Sequence, residues 1–515
     1  MLNLPDKLYT VNSVVQLEQI AINQYGIPAY ELMQRAGEAV FNVISTNYSQ
    51  HKKIVVICGA GNNAGDGYVV ARLAKQSGFD VRVYSLIDPA VLNNEALLAY
   101  RDWMNASEDK DSYTSVDPSF LEEAEVIVDA ILGTGLSREV KAEWAECIEM
   151  INDVPTPVIS VDIPSGLIAD TGNISGVAIR ADVTVSFIGL KQGLFTAQAS
   201  DVCGQLIFDD LALPAEVYSH VECDARLINH INLALLPERK SSSHKGCFGH
   251  VLIAGGNSGM AGAVILAAKA ALRTGAGLVT IVTVPQNLSA ISCAVPEAMV
   301  KVCDKDSIED LFREGFINDI THVAVGMGLG KNTWSLKLLK HCVRLNIPML
   351  IDADALNIIA KVGINNLAVS STKPVVITPH PGEAARLLTA DGEISSSDIQ
   401  IDRFKAVRAL HALFNDFDSC SVILKGSGTL IYDGKILKIC QLGSAAMAAP
   451  GMGDVLSGVL IALLAQNKAM SEVTLNEISE LAVCIHAAAA DTVSDGKTRG
   501  LLASDVINAL PGVLQ

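Results

Sequence analysis

Residues 54–78 read IVVICGAGNNAGDGYVVARLAKQSG and decide the fold of the first half of the chain. A short apolar run at 54–58 is followed by a glycine-rich loop at 59–67, and the helical pattern at 67–78 ends at a glycine. A strand, a glycine loop and a helix in this order are typical of a βαβ unit. The stretch therefore predicts a parallel sheet that binds its ligands at the carboxyl ends of the strands.

The same alternation of apolar runs and helical patterns extends along the chain in both directions. Two helical patterns at 11–47 precede the first strand and could cap the sheet or form an oligomer contact. We predict an α/β protein whose first half is a Rossmann-like doubly wound sheet. Further buried strands are predicted at 80–86, 126–132, 158–163, 183–188, 250–256, 279–285, 322–328, 349–356, 375–381 and 421–428.

A polar, turn-rich stretch, PERKSSSHKG at 237–246, separates the two series of strands. Such a composition is typical of a linker, because it offers little apolar surface to bury. We therefore predict a first domain at 1–220, a linker at 221–240 and a second α/β domain at 241–515.

The amino-acid composition excludes several classes of protein. The chain has 515 residues, of which 50 % are hydrophobic and 18 % charged, and this excludes disordered and fibrous proteins. The net charge of −18 argues against nucleic acid or an anionic membrane as a partner. No signal-peptide pattern is present, and the uncharged stretch at 251–268 is too rich in glycine for a membrane span. Since the eleven cysteines show no CxxC spacing, we expect a soluble protein of the reducing cytoplasm.

Polar side chains cluster at three predicted strand ends in the first half. The glycine loop carries amide and carboxyl groups, and DAILGTGL (129–136) and VDIPSGL (161–167) follow two other strands. A glycine loop alone is equally typical of a purely structural turn, but three converging strand ends favour a binding site. Asn63, Asp129 and Ser165 form an all-oxygen set, which suits a hard cation better than zinc.

These blocks resemble the signature motifs of the NAD(P)H-hydrate epimerase family over residues 10–215, with Ala64 where glycine is usual. The resemblance implies a K⁺ ion held by Asn63, Asp129 and Ser165, and Asp162 as the acid and base that interconverts the epimers. Lys191 could assist Asp162, or it could be a snorkelling surface lysine. The substrate contacts implied by the resemblance are Asn62, Asn63, Ala64, Gly65, Asp66, Gly133, Thr134, Gly135, Leu136, Ser137, Arg138, Glu139 and Asp162.

A second cluster of motifs lies in the C-terminal half. In AAPGMGDVLSG (448–458), Gly451 and Gly453 free the amides at a predicted helix N-terminus beside Asp454. An anion hole beside a base suits phosphoryl transfer to a hydroxyl group, although a bare GxGD is also typical of an ordinary helix cap. The loop KGSGT (425–429) could cradle a nucleotide phosphate. In HPGE (380–383) the glutamate could position water or Mg²⁺, whereas a lone histidine is more often structural.

These blocks resemble the ADP-dependent NAD(P)H-hydrate dehydratases of the ribokinase-like superfamily, over residues 240–515. The resemblance implies a ribokinase-like α/β sandwich, ADP as phosphoryl donor with Mg²⁺, and Asp454 as the catalytic group at the reacting hydroxyl. GMGLG (326–330) replaces the usual GPGLG, and the loop at 443–451 lacks the usual asparagine and one glycine; we expect these departures to affect the rate, not the reaction type. The implied substrate contacts are Ala263, Gly328, His380 and Asp454, and the implied nucleotide contacts are Lys425, Gly426, Ser427, Gly428, Thr429 and Gly453.

Taken together, the two resemblances imply an enzyme that repairs hydrated NADH and NADPH. One domain would epimerise the R and S hydrates, and the other would dehydrate the S hydrate with ADP, releasing AMP and phosphate. The alternative is a vitamin kinase fused to a non-catalytic ligand-binding domain. For partners we expect the hydrated cofactors and ADP, no nucleic acid, no membrane, and a second copy of the chain in a homo-oligomer.

Overall fold

The computed structural model describes residues 4–107, 112–113, 118–136, 138–236, 239–367, 373–389, 393–466 and 473–515. The chain divides into two compact units, Met1–Leu227 and Ile228–Gln515. The division falls inside the stretch predicted as a linker at 221–240. That stretch is not irregular throughout, because it contains strand β10 (Ala225–Ile228), which pairs antiparallel with β1 (Lys7–Tyr9).

The first unit contains a parallel sheet with the strand order β4-β3-β2-β5-β6-β7-β9. Each neighbouring pair in it is parallel, as the alternation of strands and helices predicted. A short parallel pairing joins β1 to β8 (Leu190–Lys191). The strands of the main sheet are β2 (Lys53–Cys58), β3 (Asp80–Ser85), β4 (Ser112–Tyr113), β5 (Val126–Ala130), β6 (Val158–Val161), β7 (Val183–Phe187) and β9 (Gln205–Asp209).

Helices cover both faces of this sheet. Along β2, Ile54 and Val56 pack into one core, and Val55 and Ile57 pack into a second core on the opposite face. Because side chains alternate along a strand, a run buried on both faces must be apolar at every position. The helices are α1 (Val11–Asn23), α2 (Ala29–Asn47), α3 (Asn62–Gln76), α4 (Asn94–Ala106), α5 (Pro118–Glu123) and α6 (Glu143–Asp153).

Helix α3 begins five residues earlier than the predicted start at residue 67. Gly61 adopts φ +78°, which is readily accessible to glycine, and this lets the chain turn from β2 into the helix within three residues. Asn62, Asn63 and Asp66 therefore lie in the first turns of a helix and not in a loop. The rigid backbone of a helix fixes their directions more firmly than a loop would.

The second unit contains a sheet with the strand order β13-β12-β11-β14-β15-β16-β17-β18-β19. The pairs from β13 to β17 are parallel, and the two hairpin pairs β17-β18 and β18-β19 are antiparallel. The strands are β11 (His250–Ala254), β12 (Leu278–Thr283), β13 (Met299–Val302), β14 (His322–Val325), β15 (Met349–Ile351), β16 (Val375–Ile377), β17 (Cys420–Leu424), β18 (Thr429–Tyr432) and β19 (Leu437–Cys440).

Helices pack on this second sheet and confirm the predicted α/β class for both units. Val251 and Ile253 of β11 face a core shared with α7, α15, α16 and α17. The first two of these helices touch closely, since a Cβ at Gly458 would lie 2.2 Å from the carbonyl oxygen of Ala267. The helices are α7 (Ala261–Thr274), α8 (Leu288–Ala294), α9 (Ile308–Arg313), α10 (Thr333–Arg344), α11 (Ala353–Val362), α12 (Pro381–Leu388), α13 (Ser396–Ile401), α14 (Arg403–Ala412), α15 (Met452–Gln466), α16 (Leu475–Ser494) and α17 (Ala503–Val513).

The predicted strands in both units match the observed ones, but several end sooner. The predicted run at 126–132 stops at Ala130, and the run at 349–356 stops at Ile351. In each case the chain leaves the sheet within the motif, so that the polar residues of the motif stand at the sheet edge. Among the described helices, none combines the length and the apolar character needed to cross a membrane.

Candidate active sites

A cavity of about 610 Å³ opens in the first unit at the carboxyl ends of the strands. Helix α1, the start of α3 and the turns after β5, β6 and β7 form its walls. Most of the implied substrate contacts lie on these walls, which brings segments that are far apart in sequence to one space. These lining residues are Asn62, Asn63, Asp66, Gly133, Thr134, Gly135, Leu136, Arg138 and Asp162.

Some of the residues implied as substrate contacts do not line the cavity. Ala64 is fully buried, and a Cβ at Gly65 would lie 2.5 Å from Cε of Met33, so both belong to the packing of α3. The Glu139 carboxylate forms an exposed ion pair with Lys141 at 2.7 Å. Ser137 lies outside the described residues. Since the first turns are helical, one face of α3 lines the cavity with Asn62, Asn63 and Asp66, and the side chains on its other faces do not.

Asp162 and Lys191 form an ion pair at the cavity wall. Lys191 is 1 % exposed, so the snorkelling interpretation is wrong. Its ammonium group donates to Oδ1 of Asp162, to the carbonyl oxygen of Phe187 at 3.1 Å and to Oγ of Ser186 at 3.3 Å. Three acceptors fix the ammonium position, and the ammonium in turn fixes the carboxylate of Asp162.

Asp162 also has an unusual backbone. Its φ is +64°, a region that non-glycine residues rarely adopt, and its amide donates to the carbonyl oxygen of Val185 at 2.7 Å. Its Oδ1 accepts a further bond from the amide of Phe187 at 3.2 Å. Backbone strain of this kind persists where surrounding contacts over-determine it, and it concentrates at functional positions.

Three more carboxyl groups, those of Glu18, Asp66 and Glu95, line the same cavity. Burial raises the pKa of Asp66 well above its usual range, and the negative charges of Asp162 and Glu18 raise it further, while Lys191 opposes the shift. Burial and Asp162 also raise the pKa of Glu18. Asp66 therefore retains a proton more readily than an exposed aspartate. No sequence motif identified Glu18, because it belongs to the helical pattern at 11–47 and is brought to the cavity only by the packing of α1.

The three residues implied as cation ligands differ in how fully the protein satisfies them. Asp129 is fully buried, and its Oδ2 accepts bonds from Oγ of Ser160 at 2.8 Å and the amide of Ser165 at 2.9 Å. Its Oδ1 accepts from Oγ of Ser165 at 2.5 Å and the amide of Ile131 at 3.2 Å. Burial raises the pKa of Asp129, and these hydrogen bonds counteract the shift.

Around the other two implied ligands, Ser165 and Asn63, some hydrogen-bonding groups are not fully satisfied. Oγ of Ser165 lies near both Oδ1 of Asp129 and the carbonyl oxygen of Leu132, at 3.1 Å, but its single proton cannot fully serve both. Oδ1 is the atom of Asn63 that a cation would contact, and a Cβ at Gly133 would lie 3.4 Å from it. Nδ2 of Asn63 can only donate, and it is buried without a hydrogen-bond partner among the described residues. Carboxylate, hydroxyl, amide and carbonyl oxygens are the ligands that hard cations prefer, so the residues present fit a bound K⁺.

In the second unit, the key group is a triad around the buried Asp352, which directly follows β15. Nζ of Lys425 donates to its Oδ1 at 2.8 Å, and Oγ of Ser457 donates to its Oδ2 at 2.7 Å. A Cβ at Gly453 would lie 3.4 Å from Nζ of Lys425, so the N-terminus of α15 adjoins this pair. Because glycine has no side chain, the backbone at the N-terminus of α15, where the helix dipole is positive, can lie close to this charged pair.

Asp454 lies beside this triad, and the charges of the triad shift its pKa. Burial and the neighbouring carboxylate of Asp352 raise the pKa of Asp454 to about 7, while the ammonium group of Lys425 opposes the rise. A carboxylate with this pKa is a much stronger base than an exposed aspartate and is still half ionised at neutral pH. The position fits the general base that the motif implied.

Lys425 has a different environment from the one expected. The resemblance implied a nucleotide contact, but its ammonium group is held by Asp352 and lies 3.9 Å from Oε2 of Glu383. Two carboxylates raise its pKa despite its burial. Sequence reasoning quoted the DADALN motif without assigning a role to Asp352; an acid directly after a buried strand was the signal that could have found it.

His380 caps a helix. Its Nδ1 accepts bonds from the amide of Gly382 at 3.0 Å, and Oε2 of Glu383 accepts from the amide of His380 at 2.8 Å, which completes a capping box on α12. Burial and two nearby cations lower the pKa of His380, so the ring is neutral at physiological pH. Glu383 is a single carboxylate, and Mg²⁺ commonly binds one or two carboxylates together with substrate phosphates. The residues present fit Mg²⁺ that arrives with a nucleotide.

The remaining implied substrate contacts are Ala263, in the first turn of α7, and Gly328. A Cβ at Gly328 would lie 3.0 Å from Cβ of Ala263, so the two positions are adjacent. Gly326 must be glycine, since a Cβ there would lie 1.7 Å from the carbonyl oxygen of Asp352. Met327, which stands where proline is usual, is fully buried in the core and leaves this turn in place.

The altered loop at 443–451 is anchored at its start. The amide of Gly443 donates to Oδ2 of Asp491 on α16 at 2.9 Å, and Ala446 is buried. Gly451 adopts φ +85° directly before α15. The glycine required for the entry into the helix is therefore retained although the loop sequence departs from the usual pattern.

Two family models match the chain. One is described as NAD(P)H-hydrate dehydratase and matches residues 251–512. The other is described as YjeF-related protein N-terminus and matches residues 29–193. The two matches occupy separate compact units.

Several relatives match over nearly their whole length. Proteins named bifunctional NAD(P)H-hydrate repair enzyme Nnr are 40 % identical in Coxiella burnetii, covering 97 % of both chains, and 39 % identical in Vibrio cholerae, covering 99 % of both. The Escherichia coli protein of that name is 39 % identical and covers 99 % of this chain and 95 % of its own. A solved ADP/ATP-dependent NAD(P)H-hydrate dehydratase from Bacillus subtilis is 27 % identical, covers 55 % of this chain and 94 % of its own, and has a TM-score of 0.46.

Proposed function

The chain belongs to the family of bifunctional NAD(P)H-hydrate repair enzymes, and from this premise we propose how its two units divide the work. The first unit epimerises hydrated NADH and NADPH at C6, and the second dehydrates the S hydrate. The match over the whole chain is the reason to set aside a vitamin kinase fused to a non-catalytic domain. The observation that carries the proposal is that each unit contains its own lysine–aspartate ion pair, with one partner almost fully buried, beside further carboxyl groups.

Epimerisation requires that the hydroxyl group leave C6 and return to the other face. In the hydrate, C6 carries both the hydroxyl group and the ring nitrogen, so loss of the hydroxyl group gives an iminium ion. Asp162, held by Lys191, accepts and returns the proton of the attacking water. Asp66, whose pKa is raised by burial and by Asp162, is suited to protonate the departing hydroxyl group.

A cation stabilises the wall of this first cavity. We assign K⁺ to Asn63, Asp129 and Ser165, because their side-chain oxygens suit a hard cation and the single proton of the Ser165 hydroxyl group has two acceptors, which leaves one of these oxygens without a full donor. When bound, K⁺ supplies positive charge near the anionic parts of the substrate. The protein residues of the site orient the turn after β5, which carries the Gly133–Leu136 stretch of the cavity wall.

Dehydration requires a better leaving group than hydroxide. Asp454 takes the proton of the C6 hydroxyl group, the hydroxyl oxygen attacks the terminal phosphorus of ADP, and AMP leaves. The ring nitrogen then expels phosphate, and loss of a proton from C5 restores the C5=C6 double bond. Amides at the N-terminus of α15 stabilise the charge on the phosphoryl group while it is transferred.

We assign the nucleotide to the loop at 425–429 and Gly453, with ADP as donor. Glu383 would hold Mg²⁺, which would supply positive charge to the phosphates of the nucleotide. Gly426 and Gly428 adopt φ +142° and +60°, so this loop can turn its backbone amides toward an anion. We further propose that the enzyme works as a homo-oligomer in the cytoplasm, where its substrates, the hydrated nicotinamide cofactors, form.

The proposal is tested by chiral chromatography of both hydrate epimers with the purified protein, with and without ADP. Without ADP, each pure epimer should relax to a mixture of the two, and no NAD(P)H should form. With ADP and Mg²⁺, both epimers should disappear and NAD(P)H should form. A stable phosphorylated product in place of NAD(P)H would contradict the proposal. A faster reaction with ATP than with ADP would overturn the assignment of the donor alone.

A further inference from the structure

Arg403, the first residue of α14, lies buried beneath the loop at 425–429. It is fully buried, and its Nη2 donates to the carbonyl oxygens of Leu424 at 3.2 Å, of Lys425 at 3.4 Å and of Gly428 at 3.4 Å. Its Nη1 donates to Oε1 of Gln400 at 2.9 Å and also lies 3.4 Å from the carbonyl oxygen of Lys425. One guanidinium group therefore ties together the two ends of this loop.

The charge of Arg403 has no counterion within the part of the chain that the structure describes. No carboxylate there forms an ion pair with it, and its Nε–H is buried without a hydrogen-bond partner. Burial lowers the pKa of Arg403 to about 10, so the group remains charged at neutral pH. A buried charge without a counterion is unfavourable, and an anion bound on the other side of the loop would compensate it.

The geometry of the loop directs its amides away from Arg403. Gly426 adopts φ +142°, and a Cβ at this position would lie only 2.5 Å from Nη1 of Arg403. The guanidinium group therefore packs directly against the loop backbone. The carbonyl group of Lys425 points toward Arg403, and across a planar trans peptide the following amide N–H, that of Gly426, points the opposite way.

We propose that Arg403 is a positioning residue for the nucleotide phosphates. It holds the loop carbonyls so that the amide of Gly426 faces the phosphates, and its buried charge attracts the phosphates through the loop without touching them. This inference rests on the proposed assignment of 425–429 to the nucleotide. The site recognises a polyphosphate by the number of its negative charges, and the base or sugar contributes nothing to this effect.

The test compares Arg403→Met and Arg403→Lys with the wild-type protein. The dissociation constants of ADP and AMP are measured by titration calorimetry, and KM for ADP and kcat are measured for dehydration. Removing one buried charge near two or three phosphate charges should weaken ADP binding on the order of tenfold and AMP binding less. KM for ADP should rise more than kcat falls, because Arg403 does not touch the reacting atoms.

Arg408→Met is the matched control. Arg408 lies on the same helix but is exposed. Its guanidinium group donates to the carbonyl oxygen of Phe404 at 3.3 Å and lies 5.9 Å from the ring centroid of Tyr432. The control should leave the ADP-to-AMP affinity ratio unchanged. Epimerisation in the same samples and thermal denaturation report on folding. If Arg403→Met lowers the melting temperature but keeps that affinity ratio, the proposal is wrong and the role is structural only.

If the Arg403→Met variant does not fold, Arg403→Lys tests whether Arg403 positions the nucleotide loop. Lysine keeps the charge but lacks the planar fork that spans several carbonyls, so we expect an ADP affinity about threefold below that of the wild type. An ADP affinity equal to that of the wild type would contradict the positioning role. If the wild-type protein itself fails to bind ADP, the proposed function fails instead, so the two failures can be distinguished.

Discussion

Both units contain a lysine paired with an aspartate in the candidate site, but they use the pair differently. In the first unit, Lys191 pairs with Asp162, the residue that we assign to the chemistry. In the second, Lys425 pairs with Asp352 and leaves the neighbouring Asp454 as the carboxyl group with a pKa of about 7. The lysine–aspartate pair of the first unit thus holds the reacting carboxylate in place. The pair of the second unit instead sets the pKa of a base that lies beside it.

This difference follows the chemistry that each site must perform. An epimerase must both remove and return water at one carbon, and a carboxylate fixed by a lysine beside a carboxyl group that holds its proton provides the two roles. Phosphoryl transfer to a hydroxyl group needs one base whose pKa is near the working pH. The predictions below test whether the two arrangements are independent and whether each lysine acts as described.

The largest effect is expected for Asp454→Asn. The substitution keeps the size of the side chain and removes the base, so dehydration should fall by at least about 100-fold. Epimerisation should be unchanged, because its residues lie in the other unit. Both rates are measured in one sample, by recovery of the dihydronicotinamide absorbance and by epimer exchange. Dehydration near the wild-type rate would show that the second active site is misassigned.

The next effect is expected for Lys191→Met. The variant removes the charged donor that fixes Asp162, and loss of a hydrogen bond to a charged group corresponds to roughly 100-fold in epimerisation. Dehydration should persist. Lys141→Met is the control, since that lysine belongs to the same unit but is exposed. If both variants epimerise equally well, the ion pair has no part in the reaction.

A smaller effect is expected for Asp129→Ala. Loss of the buried carboxylate should weaken the proposed K⁺ site and lower epimerisation roughly 30-fold, while dehydration continues. The dependence of epimerisation on K⁺ concentration should shift to higher values in the variant, and zinc chelators should have no effect on the wild type. Loss of both activities to the same degree would indicate misfolding and not a cation site.

The smallest effect concerns pH. Asp454 acts in its ionised form, and burial and Asp352 raise its pKa to about 7, so kcat/KM for dehydration should rise about tenfold from pH 6 to pH 8. The inflection should be missing from the residual activity of Asp454→Asn. A wild-type profile that is flat across this range would contradict the assignment of the base, since an ordinary aspartate is fully ionised throughout it.

The fold and most of the motif residues could be predicted from the sequence, because apolar runs and glycine turns are local signals. The start of α3 at Asn62 was missed, since a helix that begins directly after a left-handed glycine resembles a loop. The burial of Lys191, the triad around Asp352 and the approach of Glu18 to the cavity depend on packing between distant segments. A single sequence contains no signal for such contacts, although the position of Asp352 directly after a buried strand marks that residue as a candidate.

The most direct test of two independent sites in one chain is complementation between two inactive variants. Asp162→Asn and Asp454→Asn are each incubated with the pure R hydrate, ADP and Mg²⁺, first alone and then mixed, and NAD(P)H formation above the spontaneous epimerisation background is followed. We predict that neither variant forms NAD(P)H at a substantial rate alone and that the mixture does. A mixture that remains as slow as the separate variants would contradict the account.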